Sequence, residues 1–200
     1  MPIFRIVYRV SQIAICDIRE IYLTFAHMRK HTGMRPQDIA ILIKVMSMKG
    51  RPWLVKDLAF ELFLSQSEVS ESLHRSMYAG LIDGDKKWVQ SQNFHEFILY
   101  GLRYVFPQQP GSIVRGMPAA HSHPRLQNKF IADTKLVWPD PESNSIGLSI
   151  EPFYSKQVKA AKQDESLYYN LCLIDMIRGG KPREVNYAKE ELKKWSKEPD

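Results

Sequence analysis

Two short amphipathic segments lie so close together in this sequence that they must fold as a pair of crossed helices. Helical spacing of apolar residues runs through 53–62 and again through 66–79, and only residues 63–65 separate the two. Three residues allow a sharp turn and nothing longer, so the apolar sides of the two helices have to meet. Ala59 is small enough to let them cross closely.

The ends of the second segment carry their own signals. Ser65 and Glu68 form a capping-box pattern, in which the hydroxyl accepts from the backbone of residue 68 and the carboxylate reaches back. Gly80 is typical of a helix end, and Asp83-Gly84-Asp85 favours a hairpin between extended residues 81–82 and 86–89. The predicted core between the helices is Leu58, Leu62, Leu64, Val69 and Leu73.

The stretch LAFELFLSQSEVSESL at 58–73, followed by AGLI at 79–82 and a charged hairpin, resembles winged helix-turn-helix transcriptional regulators, especially the MarR-like class. The resemblance implies three helices and a two-stranded wing within 36–92, with the helix from Gln66 lying in the major groove of DNA. Two residues depart from the pattern. Phe63 stands where glycine is frequent, so we expect a turn without a left-handed residue; Ser76 stands where an apolar residue is usual.

We therefore expect a sequence-specific DNA-binding transcriptional regulator and no enzyme. Glutamine pairs with adenine edges, serine with bases or phosphates, and arginine with guanine or phosphate, while hairpin lysines grip the backbone. The alternative is a protein-interaction or antitoxin-like module on the same scaffold. The candidate DNA-binding residues are Gln66, Ser67, Ser70, Glu71, His74 and Arg75 on the helix, with Lys86 and Lys87 on the hairpin.

The net charge gives little support to a DNA-binding function. The whole chain carries +6, but residues 34–92 hold eight Lys and Arg against seven Asp and Glu, which leaves +1. Phosphate affinity must then come from the placement of individual charges, since net charge supplies little counterion release.

The predicted fold class is α+β: mainly α with a small β wing, a proline-rich segment and C-terminal helices. The expected domains are an N-terminal extension at 1–33, the winged helix-turn-helix at 34–92, a helix with a proline-rich irregular segment at 93–160, and a dimerising helical pair at 161–200. Within these we expect helices at 93–105, 165–178 and 183–195, short strands at 135–138 and 146–150, and a turn at 115–118.

Other sites and partners are predicted from what the sequence holds and lacks. Walker-type, GxGxxG, GxSxG and HExxH motifs are absent, so no cofactor is expected, and His121 and His123 are interpreted as a polar loop and not a metal pair. We expect a cytoplasmic homodimer joined by the apolar helix at 168–177, with the helix at 93–105 as second candidate. A small-molecule effector is possible; a membrane span is not expected.

Residues 1–33 leave two interpretations open. Alternating apolar residues at 4–10 suggest a strand and 15–28 a helix, either loosely attached ahead of a natural start at Met34 or packed on the domain or a dimer partner.

We predict that residues 1–33 are dispensable for folding, because no core position of the helix pair lies in them. A chain beginning at Met34 should melt within a few degrees of the full chain by calorimetry; insolubility, or a large loss of melting enthalpy, would contradict this.

Overall fold

The computed structural model describes residues 33–48, 51–130 and 132–193. The chain divides into two compact units, Met1–Gly33 and Met34–Asp200, and the helices and strands of the described residues all lie in the second. The strand predicted at 4–10 and the helix predicted at 15–28 lie outside the described residues.

The first three helices follow the predicted pattern: α1 spans Pro36–Ser47, α2 spans Val55–Leu62 and α3 spans Gln66–Tyr78. Both α1 and α2 pack against α3. The capping box is confirmed, since the Ser65 hydroxyl accepts from the Glu68 N–H at 3.2 Å and the Glu68 carboxylate accepts from the Ser65 N–H at 2.8 Å. These hydrogen bonds lower the pKa of Glu68, so its charge favours this helix start.

The turn between α2 and α3 differs from the prediction. Phe63 is in the left-handed region with φ 55°, so the expectation of a turn without a left-handed residue is wrong. The reversal at this residue brings the Leu64 N–H to 2.9 Å from the Ala59 carbonyl, which closes the end of α2. A backbone geometry that favours glycine is here adopted by an aromatic residue.

The predicted hairpin after α3 is present but minimal. Ile82 and Val89 form a single antiparallel bridge, and the Asp83 side chain accepts from the Lys87 and Trp88 N–H groups at 2.6 and 2.9 Å. The left-handed residue of the turn is Lys86, with φ 58°, and not Gly84. The Asp83 carboxylate thus holds a loop that has almost no strand ladder.

The predicted helix at 93–105 is confirmed as a continuous helical stretch. It consists of α4 (Ser91–Glu96), a π-helical turn (Phe97–Gly101) and α5 (Leu102–Val105). Phe94, Ile98 and Leu102 are its buried residues.

A small sheet occupies the proline-rich segment. Its strands are β1 (Ile113–Ala119), β2 (Leu136–Pro139) and β3 (Ser145–Ser149); β1 is antiparallel to both others, which pair with each other in parallel. The strands predicted at 135–138 and 146–150 are confirmed, but the turn predicted at 115–118 is wrong, because those residues lie inside β1. A Cβ on Gly116 would stand 2.2 Å from the Trp138 carbonyl oxygen, so this glycine serves a close approach between strands.

The C-terminal helices are α6 (Gln157–Gln163), α7 (Glu165–Gly179) and α8 (Pro182–Leu192). The helices predicted at 165–178 and 183–195 are confirmed within the described residues; α6 was not predicted. Asp164 ends α6 and caps α7, accepting from the Leu167 N–H at 2.9 Å. One hydrophobic core includes residues of α1, α2, α3, α7 and α8, and the protein is α+β.

The apolar helix proposed for dimerisation is buried inside its own chain. Every residue from Leu171 to Arg178 of α7 is buried, and Tyr168 is only 5% exposed. The assignment of 168–177 as the dimer surface is therefore wrong for the folded chain.

Among the described residues, no helix is long and apolar enough to cross a membrane, and no cluster of ligand-type side chains would hold a metal ion.

His121 and His123 are buried and do not form the predicted polar loop. His121 Nδ1 lies 3.3 Å from a Glu184 oxygen, and the interaction with this carboxylate raises the pKa of His121. His123 packs against Tyr168 with ring centroids 4.1 Å apart and the rings tilted, and burial, helped by Arg125, lowers its pKa to about 4. The two imidazoles consequently have opposite effects on acid stability.

We predict that changing each histidine to asparagine alters the pH dependence of unfolding in opposite ways. The unfolded chain protonates His123 near pH 6.5 but the folded chain only near 4, so the folded state loses stability as the pH falls between these values. His123→Asn should flatten that decline. Protonated His121 favours the folded state, and its contribution disappears as the pH rises through its raised pKa; His121→Asn should remove this loss above pH 6.5. Denaturant titrations across pH test both, and equal slopes in the two variants would contradict the assignment.

Candidate nucleic-acid interface

One side of α3 presents a continuous stripe of exposed polar side chains. Ser67, Ser70, Glu71 and His74 follow the i, i+3, i+4, i+7 spacing of a single helix face, and Gln66 adjoins them at the first turn. All five are exposed. The structure therefore brings together these five of the eight predicted contact residues.

The opposite side of α3 is buried in the core. Val69 is fully buried and Leu73 is 2% exposed, and both pack in the core with Leu58 and Leu62 of α2. Ser76, the residue that departs from the family pattern, is also fully buried. Because this face is held by α1 and α2, the polar stripe has a fixed orientation and an open approach.

Arg75 does not belong to the polar stripe. Its side chain is only 7% exposed, and its guanidinium makes two hydrogen bonds to the carboxylate of Asp38, at 2.9 and 2.6 Å. Both groups are desolvated, so the arginine is not available to read a base without breaking a buried pair. The structure does not support the predicted contact role of Arg75, and the reason is a partner 37 residues earlier in the chain.

The Asp38–Arg75 pair joins α3 to the start of α1. Asp38 is fully buried at the first turn of α1, where it also accepts from the Arg35 N–H at 2.8 Å. The hydrogen bonds to Asp38 raise the pKa of Arg75. Planar bidentate geometry fixes angle as well as distance, so this pair sets how the two helices cross.

The two hairpin lysines differ in their surroundings. Lys87 donates from Nζ to the Trp53 carbonyl at 3.0 Å and lies 4.4 Å from the centroid of the Trp53 ring. Its ammonium is therefore bound to the residue that lies two positions before α2. Lys86 is half-buried, and it is itself the residue of the loop with left-handed backbone geometry. Of the two, Lys87 is the one whose charge is already engaged by the protein.

A cleft of about 330 Å³ lies beside α1 and the start of α7. Its volume suits a small ligand, but such sites are mostly apolar with few polar groups. This one is lined largely by charged and polar side chains, among them Lys44, which is paired with Glu61 and Asp164. We assign no effector to it.

Sequence reasoning found the exposed stripe because helical spacing and the capping box locate one face of α3. It missed Asp38 as the partner of Arg75, since nothing local to either residue signals a contact across 37 positions.

Comparisons of this chain with family models, with curated proteins and with solved structures found no match.

We predict that Arg75→Ala destabilises the fold by about 3–5 kcal/mol, because it leaves the Asp38 carboxylate buried without its partner. The matched control is His74→Ala, an exposed neighbour on the same helix turn, expected within about 0.5 kcal/mol of the parent protein. Urea unfolding measures both. Equal stability of the two variants would show that the pair does not hold α1 to α3.

Proposed function

We propose that this protein is a sequence-specific DNA-binding transcriptional regulator that uses residues 34–92 as a MarR-like winged helix-turn-helix. The observation that carries the proposal is the exposed polar stripe of α3 on a helix whose other face is held in the core. A helix of this kind fits the major groove, which is about 12 Å wide and distinguishes all four base pairs.

The chemistry of the stripe supports base contact. Gln66 near the helix start offers a donor and an acceptor, the pattern that pairs with adenine, and Ser67 and Ser70 can bond bases or phosphates. His74 lies two turns further along. Glu71 is suited to a cytosine amine and repels phosphate, so it favours a position over the groove floor.

A protein-interaction module is the second candidate. It is favoured by the small net charge of 34–92 and by the large exposed apolar side chains of that region, among them Phe60 and Trp88, which are 79% and 53% exposed. Aromatic residues at this exposure are more typical of protein interfaces than of DNA contacts. Binding to duplex DNA distinguishes the two functions.

We predict that Ser70→Glu weakens binding to duplex DNA by roughly tenfold or more, because it sets a charge in the centre of the stripe against phosphate. Ser112→Glu, an exposed serine just before β1, adds the same charge outside α3 and should leave the affinity unchanged. Gel shifts with duplexes selected from a random-sequence pool measure both. Absence of any bound duplex at low salt would favour the protein-interaction module.

We further propose a homodimer, formed through the helical stretch 91–105. Tyr100 and Tyr104 are 69% and 78% exposed and lie one helical turn apart, and Val105 beside them is 53% exposed. A single helix of this type reads few base pairs, and two-fold pairing of two such helices is the usual way to lengthen a site.

We predict that Tyr104→Ser shifts this dimer towards monomer, since it removes a large apolar side chain from the proposed contact. Tyr78→Ser is the control, because Tyr78 is 71% exposed at the end of α3. Sedimentation velocity at tens of micromolar compares them. A parent protein that sediments as a monomer would exclude this dimer, whichever tyrosine is changed.

A further inference from the structure

A lysine from the C-terminal half of the chain lies on the turn that leads into α3. Lys159 of α6 is exposed, and its Nζ stands 4.2 Å from the centroid of the Phe63 ring. Phe63 is the left-handed residue that ends α2, three positions before the start of α3. A positive charge from outside 34–92 is thus placed beside the beginning of the polar stripe.

The position of α6 relative to the helix pair is fixed by ion pairs to a buried lysine. Lys44 of α1 pairs with Glu61 of α2 and, at 2.5 Å, with Asp164, the residue between α6 and α7. Burial of Lys44 lowers its pKa, but hydrogen bonds to Asp164 and Glu61 outweigh that effect and the pKa is raised. Three helices therefore meet at one ammonium group, and α6 packs against α2.

Three of the eight lysines and arginines of residues 34–92 are engaged by other groups of the protein. Arg75 pairs with Asp38, Lys44 with Glu61 and Asp164, and Lys87 with the Trp53 carbonyl. The stripe itself contains Glu71. Binding to a phosphate backbone needs lysine or arginine, so cations from another part of the chain would add to the few that residues 34–92 keep exposed.

Lys159 lies close enough to the start of α3 to reach a DNA strand beside that helix. Three residues span at most about 10 Å of chain, so the Cα of Gln66 lies within that distance of Phe63. The major groove is about 12 Å wide and is bordered by phosphates on both sides. With the start of α3 in the groove, a cation at the turn falls near one bordering strand.

We propose that Lys159, with Lys156 one turn before it, binds phosphates of the DNA strand that borders the groove occupied by α3. Lys156 is the exposed residue that immediately precedes α6, three positions before Lys159, so both lysines lie at the same end of this helix. This inference rests on the proposed DNA-binding function. It assigns base reading to α3 and part of the phosphate affinity to α6.

The test is the salt dependence of affinity for a labelled random-sequence duplex of about three helical turns, measured by fluorescence anisotropy on the full chain. The variant is Lys156→Gln with Lys159→Gln. Each lost phosphate contact lowers the slope of log K against log salt by about 0.9, so the double variant should lose nearly two units and bind several-fold more weakly at moderate salt. Arginine at both positions should restore the slope.

Lys162→Gln is the matched control on the same helix. Its ammonium pairs with Asp140 at 2.9 Å and with Glu142 at 3.1 Å, so it is already neutralised by the protein and its loss should leave the slope unchanged. Melting temperatures of all variants verify folding. If the parent protein binds duplex and the double variant has the parent slope, the role of α6 is overturned while the DNA-binding function stands. If the parent binds no duplex at low salt, both are overturned.

Discussion

The buried pair between Asp38 and Arg75 is the interaction on which the presentation of α3 depends. Removing two charges from water is costly, and the cost is recovered only when geometry and additional hydrogen bonds are good. Here the pair is bidentate, and Asp38 also accepts from the backbone at the start of α1. Apolar packing restricts helices to a small set of crossing angles, and the bidentate pair adds a directional contact that favours one orientation of the polar stripe.

Lys44, further along α1, also joins helices through ion pairs. Its ammonium joins α2 through Glu61 and the start of α7 through Asp164, and Asp164 in turn caps α7. The apolar core packs the same helices together, but packing alone tolerates sliding. Paired charges on both sides of α1 therefore specify one arrangement of the N-terminal helices and the C-terminal half.

Local patterns predicted the elements, and contacts distant in sequence decided what the side chains do. Spacing and the capping box located α3 and its exposed face, because those signals lie within one helix. Arg75 was assigned to DNA since its partner, Asp38, cannot be recognised from the residues around it. Gly116 indicated a turn from composition alone, whereas the requirement it meets is the approach of Trp138 from another strand. The α6 helix was missed because it is short and derives its position from tertiary contacts.

Phe63 shows how a local cost is offset by a contact between the two halves of the chain. A side chain in the left-handed region costs about 1–2 kcal/mol relative to an ordinary backbone conformation, and glycine would avoid most of it. The aromatic ring instead packs against the core and receives the Lys159 ammonium on its face. A cation over an aromatic ring contributes about 0.5–1 kcal/mol at an exposed site. The ring thus holds α6 to the turn, which glycine would not do, and its packing offsets part of the strain at Phe63.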